Sequence, residues 1–463
     1  MKKGRRYTQE EIVLISQSAI GKTFRELMNS ELITFESEEN KGNLGQLVET
    51  YLFGIDSNND SEPDFIDAGI ELKVTPYKRN KDNTLSAKER LVLNIIDYMN
   101  EYKNEFKSSH FWYKNNKIQL LWYLSTDKAS TREEKMNFII THEHLLNLYE
   151  SEDLKQIEED WNYIISKIKD GKAHELSEAD TMYLGACTKG ENSKSYRRQP
   201  FSNMMAMQRA FCFKQSYMTQ LVRKYIGDYN DVEKIIKDKN IDFNTYINKT
   251  ISQYIGLSQF ELMNRLNITS TSKSVFSIII NRMFNVSKSL RDTDEFLKAN
   301  IIPKTIRVEE NGKIKESMSF PYFKFSEIVN IPFESSNIRN ELETTKYLFF
   351  VFKKVNGEYI FKGIKLWNMP EMTIEDNVRK MYEKTQGVLK SGNIIKEIKN
   401  GVRLTNFPGM AENKVCHVRP HGRNSADTSK LPVPDKLTGL TEYTKQCFWF
   451  NNSYISEIIS DLI

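Results

Sequence analysis

The sequence predicts a mixed α/β protein built as a tandem of two copies of one fold, each a central mixed sheet flanked by helices. Three observations predict it. Segments recur along the chain: "IGKTFRELMN" at 20–29 returns as "IGLSQFELMN" at 255–264, and "AFCFKQSYMTQLVRKYI" at 210–226 returns as "CFWFNNSYISEIISDLI" at 447–463. Short apolar runs suited to strands alternate with capped, amphipathic stretches suited to helices. A tight corner at 63–73 joins two of those runs and gathers charge on one side of them. The matched offsets are 235 and 237 residues, and "KGENS" at 189–193 matches "HGRNS" at 421–425 at an offset of 232. The register is held through each half, so the expected domains are 1–230 and 231–463, joined within the charged, core-poor stretch 227–248.

At 463 residues, with 39% hydrophobic and 28% charged content, the chain has room for two or three full cores. No apolar run approaches the ~20 residues that span a bilayer, and no signal peptide opens the chain. Cys187, Cys212, Cys416 and Cys447 show no Cys-x-x-Cys spacing, against both zinc and a disulfide framework. A cytoplasmic, reduced protein is expected. The net charge of +4 is too small to decide for nucleic acid, so local basic loops would have to supply phosphate contacts.

Thr8-x-x-Glu11 is a capping box for a helix through Ile12, Leu14, Ile15 and Ala19, and Thr23-x-x-Glu26 opens a second, short one. Leu44, Leu47, Val48, Tyr51 and Leu52 share one helical face that stops at Gly54, with Glu49 on its shoulder. After the corner and a basic loop at 78–81, Ser86-x-x-Glu89 reads as the cap of a helix through Leu91, Leu93, Ile95, Ile96 and Tyr98. Lys88 would then lie in its first turn, where anions are favoured. Residues 117–125 and 136–141 read as strands and 152–170 as a charged helix. His142-Glu143-His144 has the look of a metal pair, but no third ligand stands at a suitable spacing.

At the corner, Asp67-Ala68-Gly69 is a turn signal between the apolar runs Phe65-Ile66 and Ile70–Val74. Strand alternation sends Ile70, Leu72 and Val74 to the core and sets Glu71 and Lys73 on the other face, with Asp64 folded back towards Glu71. Carboxylate oxygens are the hard ligands Mg²⁺ prefers, and an adjacent ammonium can orient a water and steady negative charge. Glu-x-Lys alone is weak: Glu101-Tyr102-Lys103, Glu133-Glu134-Lys135 and Glu397-Ile398-Lys399 carry it without an aspartate and turn ahead. The plain alternative is a surface hairpin with a solvated ion pair. The comparison of the two halves speaks against that alternative. Aligning "LVETYLFG" with "SIIINRMFN" puts Ile280 at Glu49, and aligning "IELKVT" with "KTIRVE" puts Thr305 at Glu71 and Arg307 at Lys73. The apolar positions survive while the candidate ligands do not, so one half is expected to do chemistry and the other to bind.

Taken together, "GKTFRELMN", "LGQLVETYLFG", "AGIELKVTP", "SAKERLVLNII", "GKAHELSE", "KESMSF", "FKGIKLWNMP" and "CHVRP" resemble, in order, the blocks of the MutH family, specifically its two-domain GATC-cutting restriction endonucleases. The resemblance covers nearly the whole chain. It implies restriction-endonuclease-like domains of the PD-(D/E)xK type and a type II enzyme hydrolysing double-stranded DNA at GATC, 5′ of the guanine. By the same resemblance Glu49, Asp64 and Glu71 would be Mg²⁺ ligands, Lys73 the catalytic lysine and Lys88 a further active-site lysine. The family reads DNA through an Arg-Pro loop and an aromatic near the C-terminal helix, which here are Arg419-Pro420 and Trp449. Their first-half counterparts are Cys187-Thr188 and Cys212, leaving Lys189, Arg197 and Arg198 as that half's donors. A monomer in solution, forming a dimer or a two-site looped complex on DNA, is expected, as is a companion DNA methyltransferase. The competing expectations are a mismatch-repair nickase and a DNA- or methylation-reading protein without activity.

Overall fold

The structure, a computed structural model, describes residues 6–28, 44–55, 62–126, 131–189, 195–227, 232–314 and 318–463. It divides into two compact units, Met1–Tyr246 with Asp292–Asn300, and Ile247–Arg291 with Ile301–Ile463. The division falls later than the expected 230/231 boundary because the connecting stretch is bonded into the first unit. Phe243 N–H donates to Gln156 Oε1 (2.9 Å), and the amides of Ile235 and Ile236 donate to the Glu295 carboxylate (3.2 and 2.8 Å). Residues 190–193 of the matched pentapeptide and 228–231 of the expected joint lie outside the described residues.

In the first unit, β1 (Glu71–Arg79), β2 (Leu85–Ala87), β4 (Lys117–Leu124) and β5 (Ile140–Asn147) form a sheet of order β2-β1-β4-β5. A second sheet has the order β3-β9-β6, from β3 (Leu91–Ile95), β6 (Leu184–Thr188) and β9 (Arg209–Phe213). A ribbon of β7 (Tyr196–Arg197) and β8 (Ala206–Met207) stands on the β6–β9 connection. β1 runs parallel to β4, and β4 pairs antiparallel with β5.

The second unit repeats this plan. Its sheets are β10-β12-β13, from β10 (Ile301–Val308), β12 (Lys346–Val355) and β13 (Glu358–Trp367), and β11-β19-β16, from β11 (Met318–Phe323), β16 (Cys416–Pro420) and β19 (Gln446–Phe450). The small ribbons β14 (Ile395–Lys399) with β15 (Val402–Thr405) and β17 (Thr428–Lys430) with β18 (Glu442–Thr444) complete it. Again β10 is parallel to β12, and β12 antiparallel to β13. Local devices recur too. Ser258 and Glu261 form a capping box as Thr23 and Glu26 exchange bonds, and Thr23 bridges Ile139 as Ser258 bridges Ile360. Ser109 and Ser336 each cap a helix and turn their hydroxyl onto Phe106 O (2.6 Å) and Phe333 O (2.7 Å), a match the sequence comparison did not register.

The Thr8 box caps the Gln9–Ser18 helix as expected, with Ile12 and Ala19 buried but Leu14 exposed. The helix at 44–53 is divided: Leu44–Leu47 is α-helical and Val48–Leu52 is a π-helix. The helix expected after Ser86 does not form. Ser86 Oγ donates to Asn80 Oδ1 (3.2 Å) instead of capping, and the alternation in Leu91-Val92-Leu93 pairs β3 with β9. Tertiary strand pairing overrides the local cap signal there. The 117–125 strand and the Leu154–Lys169 helix stand where expected, whereas the strand read at 136–141 begins only at Ile140.

Phe65, Ile70, Leu72, Leu121 and Ile140 share the first unit's core with the flanking helices. Phe349, Val351, Phe448 and Phe450 lie in that of the second.

Candidate active site

The site is built on the corner. Phe65 and Ile70 bridge, a 3-10 turn spans Ile66–Ala68, and Gly69 turns the chain at φ 64. That left-handed backbone is what glycine permits, and a Cβ there would strain the backbone even though it meets no neighbour. β1 then begins at Glu71. Asp64 is folded back onto it: Leu72 N–H donates to Asp64 Oδ2 (2.9 Å), and Asp64 N–H donates to Glu71 Oε2 (3.3 Å).

Glu71 is 2% exposed, so the face opposite Ile70 and Leu72 is not open to water here. Lys73 Nζ donates to Glu71 Oε1 at 2.6 Å, and Lys114 Nζ lies 3.8 Å from Glu71 Oε2. Burial pushes the Glu71 carboxyl up, and the nearby Asp64 adds to this; Lys73 and Lys114 pull the other way. The corner brings two carboxylates together, and carboxylate oxygens are the hard donors a divalent cation takes. Asp64 and Glu71 therefore fit a divalent cation by the chemistry of the donor set.

Lys114 was missed by sequence reasoning. It sits near the end of the His110–Asn115 helix that leads into β4, and the parallel register pairs Glu71 with Ile118. A residue just ahead of β4 is thereby delivered to the start of β1. The available signal was a lysine immediately before a strand that pairs in parallel with the Glu-x-Lys strand.

Two expected members are not gathered in the same way. Glu49 lies half-buried in the π-helix Val48–Leu52, a feature frequent at functional sites. Among the described residues no group of three His, Cys, Asp or Glu side chains stands close enough to hold one ion, so Glu49 does not complete a trio with Asp64 and Glu71. Lys88 is not in a helix. It lies between β2 and β3, with its N–H on Pro76 O (3.1 Å) and Nζ on Ser125 Oγ (2.8 Å). No bond joins it to the carboxylates among the described residues. His142 and His144 lie on β5, where His144 stacks on Tyr225 at 3.7 Å.

The second unit corrects the earlier alignment of the two halves. Asn300, at φ 53, precedes β10 as Gly69 precedes β1, and β10 pairs Ile302 with Tyr347 as β1 pairs Glu71 with Ile118. With Lys346 at Lys117, Ile302 therefore stands at Glu71 and Lys304 at Lys73, not Thr305 and Arg307. The Glu71 carboxylate is lost, but a lysine is kept. Burial pushes Lys304 down, the Arg291 charge adds to this, and Glu341 opposes it.

The DNA-reading candidates align as expected. β16 sets Cys416 opposite Phe450 as β6 sets Leu184 opposite Phe213, so Arg419 stands at Cys187, Pro420 at Thr188 and Trp449 at Cys212. The Arg419 guanidinium lies 4.5 Å from the Trp449 ring centroid, Trp449 Nε1 donates to Arg419 O (3.3 Å), and His421 meets the ring edge-on at 5.4 Å. Arg419 and Pro420 are exposed. In the first unit Cys187 and Cys212 are fully buried. Their thiols are hydrogen-bonded, which holds Cys187 below the usual range, while burial pushes Cys212 up. Lys189, Arg197 and Arg198 are exposed around the β7–β8 ribbon.

Residues 53–160, which hold Asp64, Glu71, Lys73 and Lys114, match the family described as MutH, DNA mismatch repair enzyme MutH. The chain is also similar to the type II restriction enzyme Sau3AI of Staphylococcus aureus, with 36% identity covering 98% of this chain and 99% of that one. No helix among the described residues is long and apolar enough to cross a membrane. A matched nuclease segment holding the acidic corner, within a full-length likeness to a restriction enzyme, places the chain in the MutH-type family of type II restriction endonucleases, as a site-specific deoxyribonuclease.

Proposed function

We propose that this enzyme cuts both strands of double-stranded DNA at GATC, 5′ of the guanine, with Mg²⁺, and that its second half holds another GATC copy and stimulates the first. The observation that carries the reading is the Asp64–Glu71–Lys73 group around a buried Glu71 in one half and isoleucine at Glu71's place in the other. A bound Mg²⁺ supplies Lewis-acid polarisation of the phosphate and lowers the pKa of water. Asp64 and Glu71 would hold that ion, and Glu49 would be the further carboxylate to join them. Lys73 orients the attacking water in line with the scissile bond, and Lys114 steadies the charge that develops on the phosphate.

Arg419, stiffened by its stack on Trp449, suits bidentate hydrogen bonds to guanine N7 and O6. Its survival beside the isoleucine supports a binding half in place of a second cutting half. Monomers that loop two sites, a cytoplasmic setting and a partner methyltransferase follow from this reading. Supercoiled plasmids carrying one or two GATC sites test it. The two-site plasmid should be linearised faster per site with Mg²⁺, and Asp64→Ala should abolish cutting while metal-free binding persists. Equal rates per site would remove the effector role. Open circles without linear product would favour a nickase, and cutting by both Asp64→Ala and Glu71→Ala would place the active site elsewhere.

A further inference from the structure

Cys187 and Cys212 leave the first unit without the Arg419–Trp449 pair, yet the β6–β9 connection carries another cationic and apolar element. The β7–β8 ribbon has Arg197 exposed in its last pair and Arg198 exposed just beyond it, while Phe201, Met204 and Met205 in the tip loop are 69%, 57% and 48% exposed. Three large apolar side chains turned outward from one short loop are unusual unless they meet something.

The tip is also held in place. Gln199, 5% exposed, accepts from Ala173 N–H (2.7 Å) and gives its amide to Met204 O (2.7 Å), with His174 Nδ1 3.0 Å away. Met204 N–H donates to Ser202 Oγ (3.2 Å). Phe201 sits at φ 61, a left-handed backbone that bulky residues rarely adopt, and its carbonyl rests against Gly171, where a Cβ would stand only 2.6 Å away. Its ring meets Tyr102 edge-on at 5.4 Å, and Lys103 Nζ lies 5.8 Å from the Tyr102 ring. The surface is therefore apolar at its centre, cationic at its rim and pre-organised, so little ordering is left to do on binding.

Resting on the DNA reading above, we propose that the β7–β8 ribbon enters the major groove of the target duplex. Phe201, Met204 and Met205 cover the 5-methyl group of thymine while Arg197 and Arg198 contact phosphates. The major groove is about 12 Å wide and admits a two-stranded ribbon, and the thymine methyl is the apolar feature of its base edges. The arginines supply the charge complementarity that phosphates require. A GATC site presents that methyl on each strand, so the tip has a target inside the site itself.

The test compares metal-free binding of the full-length protein, by fluorescence anisotropy, to GATC duplexes with thymine or deoxyuridine at that position. The natural protein should lose about fourfold in affinity for each covered methyl removed. Phe201→Ala should weaken binding to the thymine duplex and bring the thymine-to-uracil ratio towards one. Phe201→Gly, which suits the left-handed backbone, should do the same with the fold intact. Arg198→Ala should weaken both duplexes equally and leave the ratio unchanged. A ratio of one in the natural protein, or an unchanged ratio in both Phe201 variants, overturns the proposal. So does a change in sedimentation on Phe201→Ala with DNA affinity unaltered, which would mark the tip as a contact between copies of this chain. Failure of the natural protein to bind any GATC duplex would instead overturn the DNA reading beneath it.

Discussion

Lys114→Met removes one charge from the active site while nearly keeping the side chain's length. Glu71 faces two ammonium groups, Lys73 at 2.6 Å and Lys114 at 3.8 Å. At an effective dielectric of about 20, unit charges at that separation interact by about 4 kcal/mol. The Lys114 and Glu71 side chains are 13% and 2% exposed, so water screens them little and that figure is a fair ceiling. A transition-state phosphate charge held as close to Lys114 would gain up to as much, worth about a thousandfold in rate. Loss of positive charge cannot weaken the hold on a cation through repulsion; it relieves it. Single-turnover cleavage with Mg²⁺ titrated at several pH values should therefore show a rate reduced by about ten- to a thousandfold with no poorer Mg²⁺ dependence. The acid limb should move to higher pH, since Glu71 has lost one of the groups that keep it ionised. A rate within twofold of the natural enzyme, or a loss fully restored by more Mg²⁺, would refute the placement of Lys114 at the reacting phosphate.

Glu71→Gln should raise the melting temperature near neutral pH while ending cleavage. Burial raises the carboxyl's folded pKa above its unfolded value, so the folded state binds more protons in that window and stability falls as pH rises through it. The gain from Gln should therefore fade below about pH 4, as thermal melts across pH will show, and a lowered melting temperature at pH 7 would contradict the argument. Lys298→Met should destabilise the first unit by about 3–5 kcal/mol in a denaturant titration, because Lys298 holds both Asp153 (2.8 Å) and Asp294 (2.9 Å) with its side chain 8% exposed. Arg419→Ala should remove the advantage of the two-site plasmid and leave single-site cutting unchanged; loss of both together would make Arg419 part of the cutting half's own recognition.

What was legible in the sequence was mostly local or directly repeated. A glycine after Asp67-Ala68 and the alternation Ile70-Glu71-Leu72-Lys73 are enough to turn the chain and set the carboxylate beside the lysine. The Thr8, Thr23 and Ser258 caps need only their own neighbours. Strands β6, β9, β16 and β19 carried enough likeness to align to the residue. What escaped was set by partners far along the chain. Ser86-x-x-Glu89 imitates a helix cap, and only the pairing of β3 with β9 makes Leu91–Ile95 a strand. Lys114 reaches Glu71 through parallel pairing that no local pattern announces. The β10 register failed for a related reason: Asn300 replaces Gly69 at the turn, a substitution related only through the left-handed backbone both adopt.

With the register corrected, the divergence of the halves can be followed at each charge of the site. Ile302 removes the carboxylate that, with Asp64, would share an ion, while Lys304 keeps the place of Lys73. The place of Lys114 is taken by a glutamate by either count: Glu343 when counted back from β12, Glu341 when counted from the Ser336 cap. Glu343 is bound by Arg339 at 2.6 Å, and Lys304 lies under the opposing influence of Arg291 and Glu341. The second site thus loses an acid at Glu71's place, keeps the lysine of Lys73 and carries an acid where the first has Lys114. The second unit therefore combines a site without Glu71's carboxylate with an exposed Arg419 stacked on Trp449, the pairing that the proposed binding half would need.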